Sequence, residues 1–245
     1  MTTRPLVYVC VRPQADAAAA EYESFRAGTR LEPGALDMWD LVDEPLPADA
    51  FDRWSGFVIG GSPFNVTDPE STKTEVQRRL EADLETIAAR AAASETAALF
   101  TCYGIGVVTR MLGGEVSRAF PEDTGPVAVR LTADAANDPV YGALADSFWA
   151  LTAHKEGAGV APAGAVLLAE NDGCPVQGYR VGDRLYTAQF HPEPTGAAFV
   201  ERMQIYRDDG YFEARDFEVI AARVTAASVT EPQRLLRAFA KEFGA

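Results

Sequence analysis

Ala97-Ala98-Leu99-Phe100-Thr101-Cys102-Tyr103-Gly104-Ile105-Gly106-Val107-Val108 is the stretch whose reading decides the fold. Its short apolar run reads as a buried parallel strand, and residues 107–112 read as the body of a helix. Cys102 falls at the turn between them. A nucleophile on a tight strand-to-helix turn is presented at the top of an α/β sheet. The positive end of the helix favours thiolate over thiol, so reactivity is expected there.

Working outward, the same alternation continues. Residues 6–11 read as a first buried strand, 15–26 as a helix closed by Gly28, 38–42 as a second strand and 57–59 as a third. Residues 72–93, rich in Ala, Glu and Arg, form a long helix before the Cys102 strand. Strands alternating with helices predict an α/β fold, with a doubly wound, mostly parallel sheet flanked by helices. Sites in such sheets lie beyond the strand C-termini. Between 115 and 190 short strands are expected at 127–131, 148–152, 166–170, 176–181 and 185–190, as an antiparallel extension. Residues 195–207, 216–229 and 231–243 read as helices, with Pro232 in the first turn of the last. No repeat or linker marks a second domain. The expectation is one domain over residues 1–245, with a core at about 5–205 and a helical extension at about 206–245.

The chain has 245 residues, 47% of them hydrophobic, and a net charge of −14. That size supports a sizeable core. The acidity argues against binding a phosphate backbone, so no nucleic acid partner is expected. Three cysteines far apart, with no CxxC pair, suit a reducing cytoplasm rather than disulfides or a structural zinc. Cys10 and Cys174 read as small buried hydrophobes. Met1-Thr2-Thr3-Arg4 runs into an apolar strand too short for a signal segment, and no apolar run approaches a membrane span.

The chain contains two histidines, His154 and His191, so the candidate general base is found by elimination. His191 lies in Gln189-Phe190-His191-Pro192-Glu193-Pro194. Residues two apart in extended chain point to one side, and the prolines favour extended geometry. Glu193 can then accept from one ring nitrogen and leave the other to face the thiol, which is triad logic with sulfur as nucleophile. Gly60-Gly61-Ser62-Pro63 follows the third strand. The N–H groups of Gly60 and Gly61, with that of Tyr103, are candidates for stabilising an oxyanion. His154 either lines the pocket or serves the structure. Phe64, Asn65 and Val66 either touch substrate or form a plain loop.

Three motifs in this order resemble the class I glutamine amidotransferases: Gly60-Gly61-Ser62-Pro63, Cys102-Tyr103-Gly104 and Gln189-Phe190-His191-Pro192-Glu193. The likeness is to the amidotransferase domain of GMP synthase and its free-standing relatives, over about residues 5–205. Thr152-Ala153-His154-Lys155-Glu156 is similar to that group's Ser-His-x-Asp segment. The resemblance implies a flavodoxin-like fold, Cys102 as nucleophile, His191 as base and Glu193 as its orienter. It implies glutamine as substrate, cleaved through a γ-glutamyl thioester with release of ammonia, and no metal or organic cofactor. Two positions depart from the pattern: Phe100 replaces a Gly, and Gly106 replaces a Gln that helps bind the substrate amino acid.

Two classes of function follow. The first is an amide-cleaving enzyme that passes ammonia to a synthetase partner in trans, since no P-loop or room for a synthetase domain is present. Its variant is a free-standing hydrolase of glutamine or a γ-glutamyl compound. The second class is a non-catalytic binding protein that keeps the fold.

Overall fold

The structure is a computed structural model that describes residues 4–244; the expectation placed on Met1-Thr2-Thr3 lies outside them. Among the described residues nine strands form one sheet in the order β2-β1-β3-β4-β9-β8-β7-β5-β6. The strands are β1 (Leu6–Cys10), β2 (Leu36–Asp40), β3 (Gly56–Ile59), β4 (Ala97–Thr101), β5 (Glu122–Leu131), β6 (Ser147–His154), β7 (Ala165–Glu170), β8 (Gly178–Val181) and β9 (Leu185–Ala188). The helices are α1 (Ala15–Thr29), α2 (Ala50–Arg53), α3 (Glu75–Ala92), α4 (Tyr103–Met111), α5 (Gly196–Ile205), α6 (Phe217–Ala226) and α7 (Pro232–Phe243).

The run β2-β1-β3-β4-β9 is parallel throughout, and the remaining pairs are antiparallel. Alternate residues of the parallel strands enter different cores, because successive strand side chains face opposite sides. Leu6, Tyr8 and Cys10 pack with Phe25 of α1 and with Leu235, Leu236 and Phe239 of α7. Val7 and Val9 pack on the other side with Leu80, Leu84 and Ile87 of α3 and Val108 of α4. A third cluster joins Leu151 to Phe199, Met203, Ile220 and Val224 of α5 and α6. Each fully buried Leu or Phe contributes roughly 1.5–3 kcal/mol. Among the described residues no helix is long and apolar enough to cross a membrane.

Three expectations need correction. The second strand lies at Leu36–Asp40, two residues before its expected place. Helix α1 runs through Gly28 and closes at Arg30, which holds the left-handed conformation with φ 56°. Gly28 serves packing instead: a Cβ there would stand 2.7 Å from Leu236 Cδ1, where α7 crosses α1. Finally, β9 is not part of the antiparallel extension alone. It pairs in parallel with β4 and antiparallel with β8, so it joins the two halves.

Candidate active site

Strand register sets the site. Ile59 pairs with Phe100, and Thr101 with Ala188, so Gly60, Cys102 and Gln189-Phe190-His191 leave the sheet at one edge. Cys102 takes φ 48° and ψ −103°, a conformation that costs a non-glycine residue of order 1–3 kcal/mol. Its surroundings hold it there. The Cys102 N–H donates to Ala188 O at 2.8 Å, and Thr101 Oγ1 donates to Ile59 O at 2.7 Å. The side chain of Tyr103 is tied into α3 through a 2.8 Å hydrogen bond from its hydroxyl to Glu81.

His191 is pinned by its own N–H, which donates to Leu151 O on β6 at 2.9 Å. Its Nδ1 lies 3.0 Å from Glu193 Oε1, the side-by-side arrangement expected of that pair. Cys102 and His191 line the same cleft, and the sulfur favours the charged form of the ring. Burial works against a charge on His191, but Glu193 and the Cys102 sulfur more than offset it and raise its pKa to about 9. Burial likewise opposes ionisation of Glu193, yet the charges of His191 and Arg202 hold its carboxyl well below the usual range.

Sequence reasoning missed the ion cluster beneath this pair. Arg202, from α5, donates to Glu193 Oε1 at 2.6 Å and lies 3.3 Å from Glu21 Oε1. Arg12, just after β1, meets Glu21 at 2.7 Å, and Tyr8 donates to the other Glu21 oxygen at 2.7 Å. Burial opposes the charge on Glu21, and Arg12 and Arg202 overcome it, lowering its pKa. Two arginines and two glutamates thus share a nearly dry site in which removal of one partner would be costly. Oxygens of Glu21 and Glu193 and a nitrogen of His191 lie within 4.8 Å of one another, but the guanidinium groups already neutralise those carboxylates. A signal was present in the sequence: Glu21 and Arg202 each sit in the buried stripe of their helix, beside Ala17, Ala18 and Phe25 and beside Phe199 and Met203.

The glycine pair behaves differently from the expectation. The Gly60 N–H donates to Val9 O at 3.1 Å, and the Gly61 N–H donates to Glu21 Oε1 at 3.3 Å. Both groups are therefore occupied rather than aimed at an oxyanion. Glycine is needed here for room. A Cβ on Gly60 would collide with the Glu21 carboxylate, and one on Gly61 would stand 2.7 Å from His191 Cε1 and 2.8 Å from Arg12. The backbone N–H groups of Ser62 and Tyr103 take no hydrogen bond among the described residues.

His154 lies on the other side of Cys102, in the wall of a cleft. Its Nε2 is 2.8 Å from Glu122 and its Nδ1 is 2.9 Å from Glu156 O. Both partners are acceptors. Glu156 in turn accepts from the N–H groups of Val66 and Thr67, at 2.7 Å and 3.0 Å. That holds the loop whose Phe64 and Asn65 line the cleft. Gly106 opens no extra space, because Val66 Cγ2 would stand 3.1 Å from a Cβ there. Phe100 is fully buried against Gly104. Cys10 and Cys174 lie in the core, where burial pushes each thiol up to about 12.

Two clefts of about 420 Å³ each meet at Cys102 and share Ser62, Ala153 and Tyr211. One is bounded by Asn65, Lys155, Glu156 and Gln189. The other is bounded by His191, Phe199, Met203 and Phe212.

No family model matches the chain. It is similar to gamma-glutamyl peptidase 3 of Arabidopsis thaliana, 28% identical over 170 residues, which cover 64% of this chain and 63% of that protein. It is also similar to GMP synthase (glutamine-hydrolyzing) of Bacillus mycoides, 30% identical over 93 residues, 38% of this chain and 18% of that one. The chain thus spans less than two thirds of either relative. The solved structure of a glutamine amidotransferase from Thermotoga maritima superposes with a TM-score of 0.76, at 17% identity, over 99% of both chains. The chain has the class I glutamine amidotransferase fold. In this amidotransferase fold the central sheet is mostly parallel and helices flank it. The likeness of fold covers 99% of the chain, beyond about residues 5–205 over which the three motifs carried the resemblance.

Proposed function

We propose that this protein is an amide hydrolase of the glutaminase type, working through Cys102, His191 and Glu193 on a γ-glutamyl substrate. The observation that carries the reading is the His191 ring, fixed by Glu193 on one nitrogen and lining one cleft with Cys102, which stands at a strained elbow. The thiolate of Cys102 attacks the γ-carbonyl carbon. The N–H groups of Ser62 and Tyr103 receive the developing oxyanion. Protonated His191 gives its proton to the leaving nitrogen, and the C–N bond breaks to a γ-glutamyl thioester and ammonia or an amine. Water then attacks the thioester, His191 takes its proton, and the C–S bond breaks to release glutamate and the thiolate.

Glu193 orients the ring and offsets its charge, and Arg202 fixes Glu193. His154 supports the cleft wall. Residues 1–245 act as one unit. All three cysteines are free, which suits a reducing compartment, and we assign the cytoplasm on that ground. Ammonia used in synthesis would pass to a synthetase partner in trans. The names of the relatives, a γ-glutamyl peptidase and a glutamine-hydrolysing synthase, agree with this chemistry.

The test is covalent. A glutamine-analogue electrophile should label Cys102 before Cys10 or Cys174, and purified protein should release ammonia or amine above a Cys102→Ala control. Label mainly on another cysteine, or no release from any γ-glutamyl compound, would leave the non-catalytic binding reading.

A further inference from the structure

We propose that the cleft on the His191 side of Cys102 is a leaving-group site, and that the preferred substrate is a γ-glutamyl amide whose amine carries an apolar or aromatic substituent. The inference rests on the hydrolase reading above and adds the chemical class of the amine. The two clefts that meet at Cys102 differ in character. Asn65, Lys155, Glu156 and Gln189 give one of them polar groups suited to an amino-acid head. The other is walled by Phe199, Met203, Tyr206 and Phe212, with the His191 ring at its inner end.

Chemistry fixes which cleft takes which half. The nitrogen that leaves must sit within reach of the group that protonates it, which is His191. Whatever that nitrogen carries therefore lies on the His191 side. Ammonia carries nothing and needs no room there. This cleft is lined by aromatic and thioether side chains, the predominantly apolar lining that small-molecule sites carry. Aromatic walls favour flat apolar groups through area and ring-edge contacts. Arg12 and Arg202 also border this cleft, but Glu21 and Glu193 neutralise their charges in buried ion pairs. The site therefore offers apolar contact rather than a place for an anion.

The experiment compares γ-glutamyl phenethylamide, γ-glutamyl methylamide and glutamine in steady state with the purified full chain. Both amides release primary alkylamines, so their intrinsic reactivity is alike and the substituent is the variable. The phenethylamide should show kcat/KM at least about tenfold above the methylamide, the ratio expected when a phenyl group is buried. Phe212 is only partly buried, so Phe212→Ser should fold and should cut that ratio to threefold or less. Equal kcat/KM for the two amides, or a ratio that Phe212→Ser leaves unchanged, would overturn the leaving-group assignment and leave the hydrolase reading in place. No turnover and no acylation of Cys102 by any of the three would overturn both.

Discussion

The molecule holds two buried histidine–carboxylate pairs, one on each side of Cys102, and they are built for different ends. His154 spends both ring nitrogens on acceptors, Glu122 and the Glu156 carbonyl, and Glu122 is further held by Asn171 and Gln177. With both ring nitrogens engaged, His154 keeps neither one free to face Cys102. His191 spends one nitrogen on Glu193, and its ring lines the cleft that holds the Cys102 thiol. Burial is nearly the same, at 7% and 4% exposure, so burial does not distinguish them. What distinguishes them is the uncommitted nitrogen and the ion cluster that keeps it so.

The largest effect should come from the pair that carries chemistry. Cys102→Ser and His191→Ala should each cost up to about 10⁶-fold in kcat, because members of such a set act as a unit. Glu193→Gln should cost less, about 10²–10⁴-fold, since the carboxylate orients and offsets charge but forms no covalent bond. His154→Gln should lower the thermal midpoint while kcat stays within about tenfold. Steady-state kinetics beside thermal unfolding separates the two outcomes, and a His154→Gln protein as inactive as His191→Ala would erase the contrast.

Next comes the ion cluster. Arg202→Met leaves Glu193 and Glu21 with one cation fewer in a nearly dry site, which should destabilise the fold by about 3–5 kcal/mol. Activity should fall with it, since Glu193 loses the 2.6 Å contact that fixes it. Arg202→Lys should restore part of the stability but less of the activity, because an ammonium cannot reproduce the guanidinium's reach and planar fork. Urea unfolding and kcat measured on both variants test this; equal rescue of the two properties would mean that Arg202 supplies charge alone.

A third contrast is visible in pH. His191 has a folded pKa of about 9, above its ordinary value near 6.5. A raised histidine pKa stabilises the fold below pH 6.5, and the contribution is lost as pH rises through about 9. Glu193 and Glu122 are depressed, so their contributions are present above the ordinary carboxylate range and are lost as pH falls through their folded values. Urea midpoints should therefore drop between pH 6.5 and 9.5 in the unsubstituted protein. The drop should shrink in His191→Gln but persist in His154→Gln. A slope that follows His154 instead would reverse the assignment of the two rings.

How far the sequence showed this depends on the region. The parallel half was legible because its strands are short apolar runs between helices, and because turn residues follow the strands at 60, 102 and 191. Strand β2 was misplaced by two residues since it is a half-buried edge strand with alternating Leu36, Met38 and two aspartates. The first half of β5, Glu122-Asp123-Thr124-Gly125-Pro126, is polar and carries Gly and Pro, so no period-2 signal marks it. In the site, His191 and Glu193 were legible because they lie two residues apart. The pairing of Arg12, Glu21 and Arg202 was not, since stripe positions mark Glu21 and Arg202 as buried but only the fold brings the distant partners together. Gly60 and Gly61 were assigned to the wrong task. Their sequence shows that something must come close, but not that the neighbours are Glu21, Arg12 and His191.

The smallest expected effect lies where the His154 side touches the clefts. The His154 ring binds the Glu156 carbonyl, the Glu156 carboxylate holds the N–H of Val66, and Val66 packs on Gly106. A glutamine at position 106, the residue the resemblance leads one to expect, would therefore meet Val66 before it met a substrate. Gly106→Gln alone should cost about 1–3 kcal/mol of stability, the usual penalty for overpacking. Combined with Val66→Ala, which removes the methyl groups at 3.1 Å and 3.4 Å, it should regain most of that loss. With the strain gone, the added amide can bond the glutamyl head group. One such bond is worth roughly 0.5–1.5 kcal/mol, between about twofold and tenfold in KM for glutamine. The turnover number should barely change, because the contact is made equally in ground and transition states. A double-mutant cycle in both stability and KM measures the coupling. If the double variant regains its stability while KM stays where it was, position 106 does not face the substrate, and the whole His154–Glu156–Val66 chain serves the wall of the cleft alone.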